Sequence, residues 1–191
     1  MVKPLVKPEF YTYADYYAWP DSIRGELIGG EFYNMTPAPS STHQNVAGIL
    51  YGQLLFFFRD TRYRAYMAPF DVRLQEPGQE EGAERDVVQP DVAVCERSKL
   101  DERGCRGAPE WIIEVLSPST RKKDLTLKRE LYERHRVPLY WLVSPSERNF
   151  TALCLGPDGQ YVSSGAVSAK GRLPVLEHPG LQIDWDWVFS D

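Results

Sequence analysis

The sequence predicts a single α/β domain spanning residues 1–191, on three observations. A chain of 191 residues suits one compact core of ordinary size. Apolar runs of strand length alternate with segments of helical periodicity along most of it. In its second half a strand (VQPDVAVC), a Gly-rich connection, a strand (EWIIEVLS), a helical segment and a further strand (PLYWLVS) follow one another, the succession of a crossover connection within a sheet.

Taken in order, residues 12–19 suit a short helix, with Thr12 as N-cap, Asp15 three residues on and Pro20 as the stop. RGELI and EFYNM flank Gly29-Gly30 and form a hairpin signal, because adjacent glycines accept the positive φ of a tight turn. After PAPSST, residues 42–59 place Val46, Ile49, Leu50, Leu54 and Phe57 at helical spacing. YRAYM and FDVRL have strand composition, and QEPGQEEGAERD reads as an exposed acidic loop. Residues 121–136 form the next helix. FTALCLGPDGQYV suits a hairpin over GPDG, and LPVLEHPGLQIDWDWVF a closing strand or turn rich in aromatic residues.

Composition bounds the function. Hydrophobic residues make up 42% and charged residues 26%, which excludes a disordered or collagen-like chain. The N-terminus lacks the apolar core of a secretory signal, and no run approaches the length of a membrane span, so a cytoplasmic protein is expected. Three cysteines, Cys95, Cys105 and Cys154, without C-x-x-C spacing predict packing thiols rather than zinc or disulfides. The net charge of -5 gives no overall attraction for nucleic acid. Residues 121–136 nevertheless hold seven Lys or Arg against three Asp or Glu, or +4, leaving about -9 elsewhere.

Two acids interrupt apolar strand runs: Asp91 in VVQPDVAVC and Glu114 in WIIEVLS. A buried carboxylate costs several kcal/mol without a cation or donors. Each acid is therefore satisfied by a structural ion pair or backbone donors, or lies at a strand end in water, or is a ligand. Together they suit Mg²⁺ or Mn²⁺, since a hard cation takes one or two carboxylates and keeps waters that a phosphate replaces. On the predicted helix Asp124, Lys128 and Tyr132 share one side, at the edge of the apolar face. Lys128 there either lays its stem over the core or supplies charge to the acids. Ser117, Ser119 and Thr120 read as helix-capping residues whose backbone N–H groups could also hold a substrate phosphate. Ser117 lacks the G-x-S-x-G setting of a hydrolase nucleophile, and no Gly-rich nucleotide-binding motif occurs.

PDVAV, EWIIEVLSPST, the D-x-x-x-K-x-x-x-Y of Asp124, Lys128 and Tyr132, VPLYWLV, and upstream GELIGGEFYNMTPAPSSTHQ together resemble the Uma-type family of bacterial endonucleases in the PD-(D/E)XK nuclease superfamily. The resemblance covers roughly residues 10–145. It implies a restriction-endonuclease-like core, a central mixed β-sheet flanked by helices, with the N-terminal helix and hairpin attached. It also implies Asp91 and Glu114 on neighbouring strands as metal ligands, with the Val115 carbonyl as a third. The superfamily's E-x-K lysine is replaced by Leu116, so Lys128 would be a relocated catalytic lysine. His43, Glu26, Glu31, Asp71 and Tyr132 are accessory candidates; for His43 the alternative is a surface or capping histidine, and for Glu31 a solvated hairpin residue. His135 and His178 show no ligand spacing.

The expected function is a divalent-metal-dependent endonuclease hydrolysing phosphodiester bonds in DNA, with RNA as a further possible substrate. The alternative is a nuclease-fold protein without catalysis that binds nucleic acid or a protein partner. The aromatic C-terminus would either close the core or cover a homodimer interface.

Overall fold

The computed structural model describes residues 9–20, 22–35 and 38–190, so the readings of residues 1–8 and of Thr36-Pro37 lie outside the described residues. The first helix, α1 (Tyr13–Tyr17), starts on a reciprocal cap in which the Thr12 hydroxyl accepts the Asp15 N–H and the Asp15 carboxylate accepts the Thr12 N–H. Strands β1 (Gly25–Ile28) and β2 (Glu31–Asn34) pair antiparallel across Gly29 and Gly30. Both glycines have positive φ, 61° and 81°, as the tight hairpin requires. Helix α2 (Ser41–Phe58) is capped by Ser40 and buries Val46, Leu50, Leu54 and Phe58 along one stripe.

The sheet expected at the centre is two sheets. One has the order β2-β1-β5-β4-β8-β7, completed by β4 (Val72–Arg73), β5 (Val87–Val88), β7 (Leu100–Asp101) and β8 (Gly104–Arg106). The other comprises β3 (Tyr63–Met67), β6 (Val92–Glu96), β9 (Trp111–Val115), β10 (Leu139–Ser144), β11 (Asn149–Leu155) and β12 (Tyr161–Ser168), in the order β12-β11-β10-β9-β6-β3. Each is mixed: β4 pairs parallel with β8, and β9 with β10, while the other pairs are antiparallel. A small hairpin, β13 (Arg172–Pro174) and β14 (Gln182–Asp184), and helix α5 (Trp185–Val188) close the chain.

VVQPDVAVC, expected as one strand, divides at its proline. Pro90 has no N–H to give a ladder, so β5 stays in the first sheet and β6 begins the second. Gln89, Pro90 and Asp91 thus form the seam between the sheets, held by the Gln89 N–H on Glu26 Oε1 at 3.0 Å and by the Ala68 N–H on the Asp91 carbonyl at 3.1 Å. Alternation along β9 then sorts its side chains. Trp111, Ile113 and Val115 pack with α2, Trp141, Phe150 and Trp185, whereas Ile112 faces Leu131, Tyr132 and Tyr140. Glu114 shares the face of Ile112, towards the crossover helix.

That helix differs from the regular one expected over 121–136. It runs as α3 (Arg121–Lys123), a π turn over Asp124–Lys128 and α4 (Arg129–Arg134). The acidic loop is also less exposed than its composition suggests. Glu84 and Asp86 are buried, and Asp86 accepts the Gly29 N–H (2.6 Å), Arg134 (2.8 Å) and His135 (2.9 Å). His135 is therefore structural, and so is His178, which stacks on Trp111. No helix among the described residues is long and apolar enough to cross a membrane.

Gly104 shows how closely β4 and β8 approach: its φ is +118°, and a Cβ built there would lie 2.1 Å from the Asp71 carbonyl oxygen. Gly104→Ala is expected to destabilise the protein by about 2 kcal/mol or more, combining steric clash with positive φ; urea unfolding measures the loss.

Candidate active site

The residues that meet here come from four elements and from the seam itself, which supplies Asp91. Extending the β6–β9 register from Val92 opposite Ile113 sets Asp91 opposite Glu114, where antiparallel partners lie on the same face. From β1 comes Glu26, from α2 His43, and from the crossover helix Asp124, Lys128 and Tyr132.

Lys128 is the hub. Its Nζ lies 2.7 Å from Glu114 Oε1, 2.9 Å from Glu26 Oε1 and 4.0 Å from Asp124 Oδ1, and its side chain is only 5% exposed. Tyr132 donates its hydroxyl to the same Glu114 Oε1 at 2.9 Å. Burial and the Glu114 charge hold the Tyr132 phenol well above its usual range, so it remains a donor. Asp91 Oδ2 accepts the Val115 N–H at 2.7 Å and lies 3.2 Å from His43 Nε2. Burial works against a proton on His43, but the Asp91 carboxylate, the Val115 carbonyl and Asp124 outweigh it and raise its pKa.

Carboxylates outnumber cations here. Glu26, Asp91, Glu114 and Asp124 face Lys128 and Lys123, with His43 beside them. Glu114 bears the consequence: burial first, then the charges of Asp124, Asp91 and Glu26, push its carboxyl up to about 8 despite Lys128. Glu26 moves the other way, because Lys128 and Lys123 together overcome its burial. Among the described residues no three His, Cys, Asp or Glu side chains converge as a metal cage. Two carboxylates and a carbonyl are nevertheless a donor set of the kind Mg²⁺ accepts while keeping waters, and a surplus of buried negative charge is what a divalent cation would balance.

The accessory candidates divide. Glu26, His43 and Tyr132 join Asp91, Glu114 and Lys128. Asp71 does not touch them; it accepts Gln89 Nε2 at 2.7 Å, behind the residue whose N–H holds Glu26. Glu31 stays at the exposed end of the hairpin, where it accepts the Tyr33 hydroxyl at 3.2 Å, so the solvated reading holds for it. In the LSPST turn the cap is Ser117 rather than Thr120: the Ser117 oxygens take the Thr120 N–H, and its carbonyl takes that of Arg121. Those two N–H groups are thus engaged rather than open to a phosphate. The Ser119 hydroxyl bonds to that of Ser117 at 3.0 Å.

Two residues that sequence reasoning did not offer as site residues also lie here. Asp124 was legible in its spacing to Lys128 and lies buried against it. Lys123 reaches Glu26 Oε2 at 2.7 Å, and nothing in the helical periodicity points to it.

A family model described as "Uma2: Putative restriction endonuclease" matches residues 13–186. The chain belongs to the Uma2 family. The crystal structure of a "putative nuclease belonging to DUF820" from Anabaena variabilis ATCC 29413 is similar, with a TM-score of 0.71 and 19% identity over 93% of this chain and 97% of that one. At that identity the likeness shows the fold, and the restriction-endonuclease-like expectation holds. No curated protein matches significantly. Uma2 membership supports a nuclease, a hydrolase by class.

Removing the hub should be costly. Lys128→Met strands Glu114 in the interior, leaves Glu26 with Lys123 alone and is expected to lower stability by about 3–5 kcal/mol, read by chemical denaturation. A pH dependence follows from Glu114. Its folded-state pKa lies above the ordinary carboxyl value, so its contribution to stability is complete below that value and is lost as pH rises through about 8. His43, also raised, acts in the same direction from near its usual value upward. Without metal, the melting temperature should therefore fall between pH 5 and 8, and Glu114→Gln should flatten that slope.

Proposed function

We infer that this chain is a divalent-metal-dependent endonuclease acting on DNA, with Asp91, Glu114 and Lys128 as its catalytic residues. The observation that carries the reading is Lys128 Nζ at 2.7 Å from Glu114 Oε1. A lysine on the crossover helix thus stands beside the strand acid, as an E-x-K lysine would, although Leu116 occupies the E-x-K position.

Asp91, Glu114 and the Val115 carbonyl would hold Mg²⁺ or Mn²⁺, as restriction-endonuclease-like enzymes generally use divalent metals. Such an ion, when bound, polarises a phosphoryl oxygen and lowers the pKa of its water. The chain's own residues arrange the rest. Tyr132 and Lys128 fix Glu114 Oε1 from two directions, leaving its second oxygen for a ligand. The Val115 N–H and His43 orient Asp91 through Oδ2 alone. Lys128, a buried cation, would stabilise charge gathering on the phosphate. Glu26 keeps it charged and in place, and the LSPST turn joins the site through its backbone, where the Thr120 carbonyl accepts the Asp124 N–H at 3.0 Å. A cytoplasmic setting and one nuclease-like domain over residues 1–191 fit this reading.

A second reading has one observation in its favour: Lys128 already pairs with both Glu114 and Glu26, as it would in a protein that binds nucleic acid without cutting it. A plasmid-nicking assay in Mg²⁺ or Mn²⁺ separates the two. Asp91→Asn and Glu114→Gln are each expected to lower metal-dependent nicking about a thousandfold, since the ion contributes several kcal/mol to the transition state, with unchanged circular dichroism. Absence of nicking by the wild type in either metal would favour the binding protein.

A further inference from the structure

Glu26 carries two lysines, one on each oxygen, and they are not equivalent. Lys128 Nζ lies 2.9 Å from Oε1 and Lys123 Nζ 2.7 Å from Oε2. The Lys128 side chain is 5% exposed and that of Lys123 25%, close to the 21% of Asp91. The site is therefore sealed over Lys128 and opens to solvent along Asp91 and Lys123. In a straight α-helix residues five apart point about 140° away from each other. The π turn over Asp124–Lys128 bonds residues five apart and swings them towards one face, which is how both lysines reach one carboxylate.

Resting on the nuclease reading, we propose that Lys123 is the substrate-binding cation of this site. It exchanges Glu26 for a backbone phosphate of DNA at the mouth, while Lys128 stays with Glu114. An ammonium has three donor hydrogens, and the only hydrogen bond Lys123 Nζ makes among the described residues is to Glu26. Letting go is cheap for Lys123, because Glu26 keeps Lys128 and the Gln89 N–H. For Lys128 it is not, since both its carboxylates are buried and would be left short of charge. Arg121, two residues earlier, is paired with Glu147 at 3.2 Å, whereas Lys122 is exposed without an ion pair among the described residues and serves as the matched surface control.

The test is steady-state cleavage of a fluorescent 20-base-pair DNA duplex in Mg²⁺ by the full chain, with anisotropy binding of the same duplex. Lys123→Met should raise KM about tenfold or more, the order of one charge-assisted hydrogen bond, with kcat within about threefold. The salt dependence of log KM should become shallower by about one. Lys123→Arg should recover most of the loss, and Lys122→Met should stay within about twofold of wild type. Wild-type KM and salt slope in Lys123→Met would overturn the proposal, as would an equal loss in Lys122→Met. A collapse of kcat with KM unchanged would also overturn it, placing Lys123 in the frame around Glu26 instead. If the wild type binds the duplex but does not cut it, the nuclease reading fails, and weaker binding by Lys123→Met still supports Lys123 as the phosphate cation; if the wild type neither cuts nor binds, both fail.

Discussion

The ion pairs of Lys128 join parts of the chain that share no ladder. Glu26 belongs to the first sheet, Glu114 to the second, and Lys128 to the helix that crosses between β9 and β10. One ammonium therefore ties three layers at a point where the apolar clusters on either side are interrupted. A buried ion pair gains little net stability over a well-packed apolar contact. What it fixes is placement: the two carboxylates lie within hydrogen-bond reach of one nitrogen, and a shift of either sheet by an ångström would break one bond.

Much of the fold was legible. Thr12 and Asp15 announced the first helix, Gly29-Gly30 the hairpin, and the stripe from Val46 to Leu54 the long helix, each through local chemistry that tertiary contacts did not override. Period-2 alternation in WIIEV was hidden by burial on both faces, so which side Glu114 takes followed only from its neighbours. The division of VVQPDVAVC was signalled by Pro90, although the length of the apolar run argued for a single strand. Asp86 was masked by composition: in a segment crowded with Glu and Gly, nothing local distinguishes the one aspartate that the Gly29 turn, Arg134 and His135 enclose.

At the site the same division holds. Asp91, Glu114 and Lys128 stood out because each is a charge where the pattern demands an apolar residue. Glu26 sits in GELIGG, where alternation allows an outward-facing acid, so its burial depends on the arrival of Lys123 and Lys128 from about a hundred residues away. Lys123 was illegible for a different reason. Periodicity arguments assume 3.6 residues per turn, and a single π turn changes which residues share a face.

The seam at Gln89, Pro90 and Asp91 has a mechanical consequence. Three residues carry the chain from one sheet to the other, with Glu26 fastened to the first of them and Asp91 being the last. The two sheets are thus joined, within three residues, at the place where their acids meet. Continuing the β6–β9 register one residue past Val92 sets Asp91 opposite Glu114, whereas Glu26 reaches the same region through Gln89 and Lys128. The acids of the second sheet are therefore spaced by a strand pair, and the acid of the first sheet by a three-residue crossing and a single ammonium.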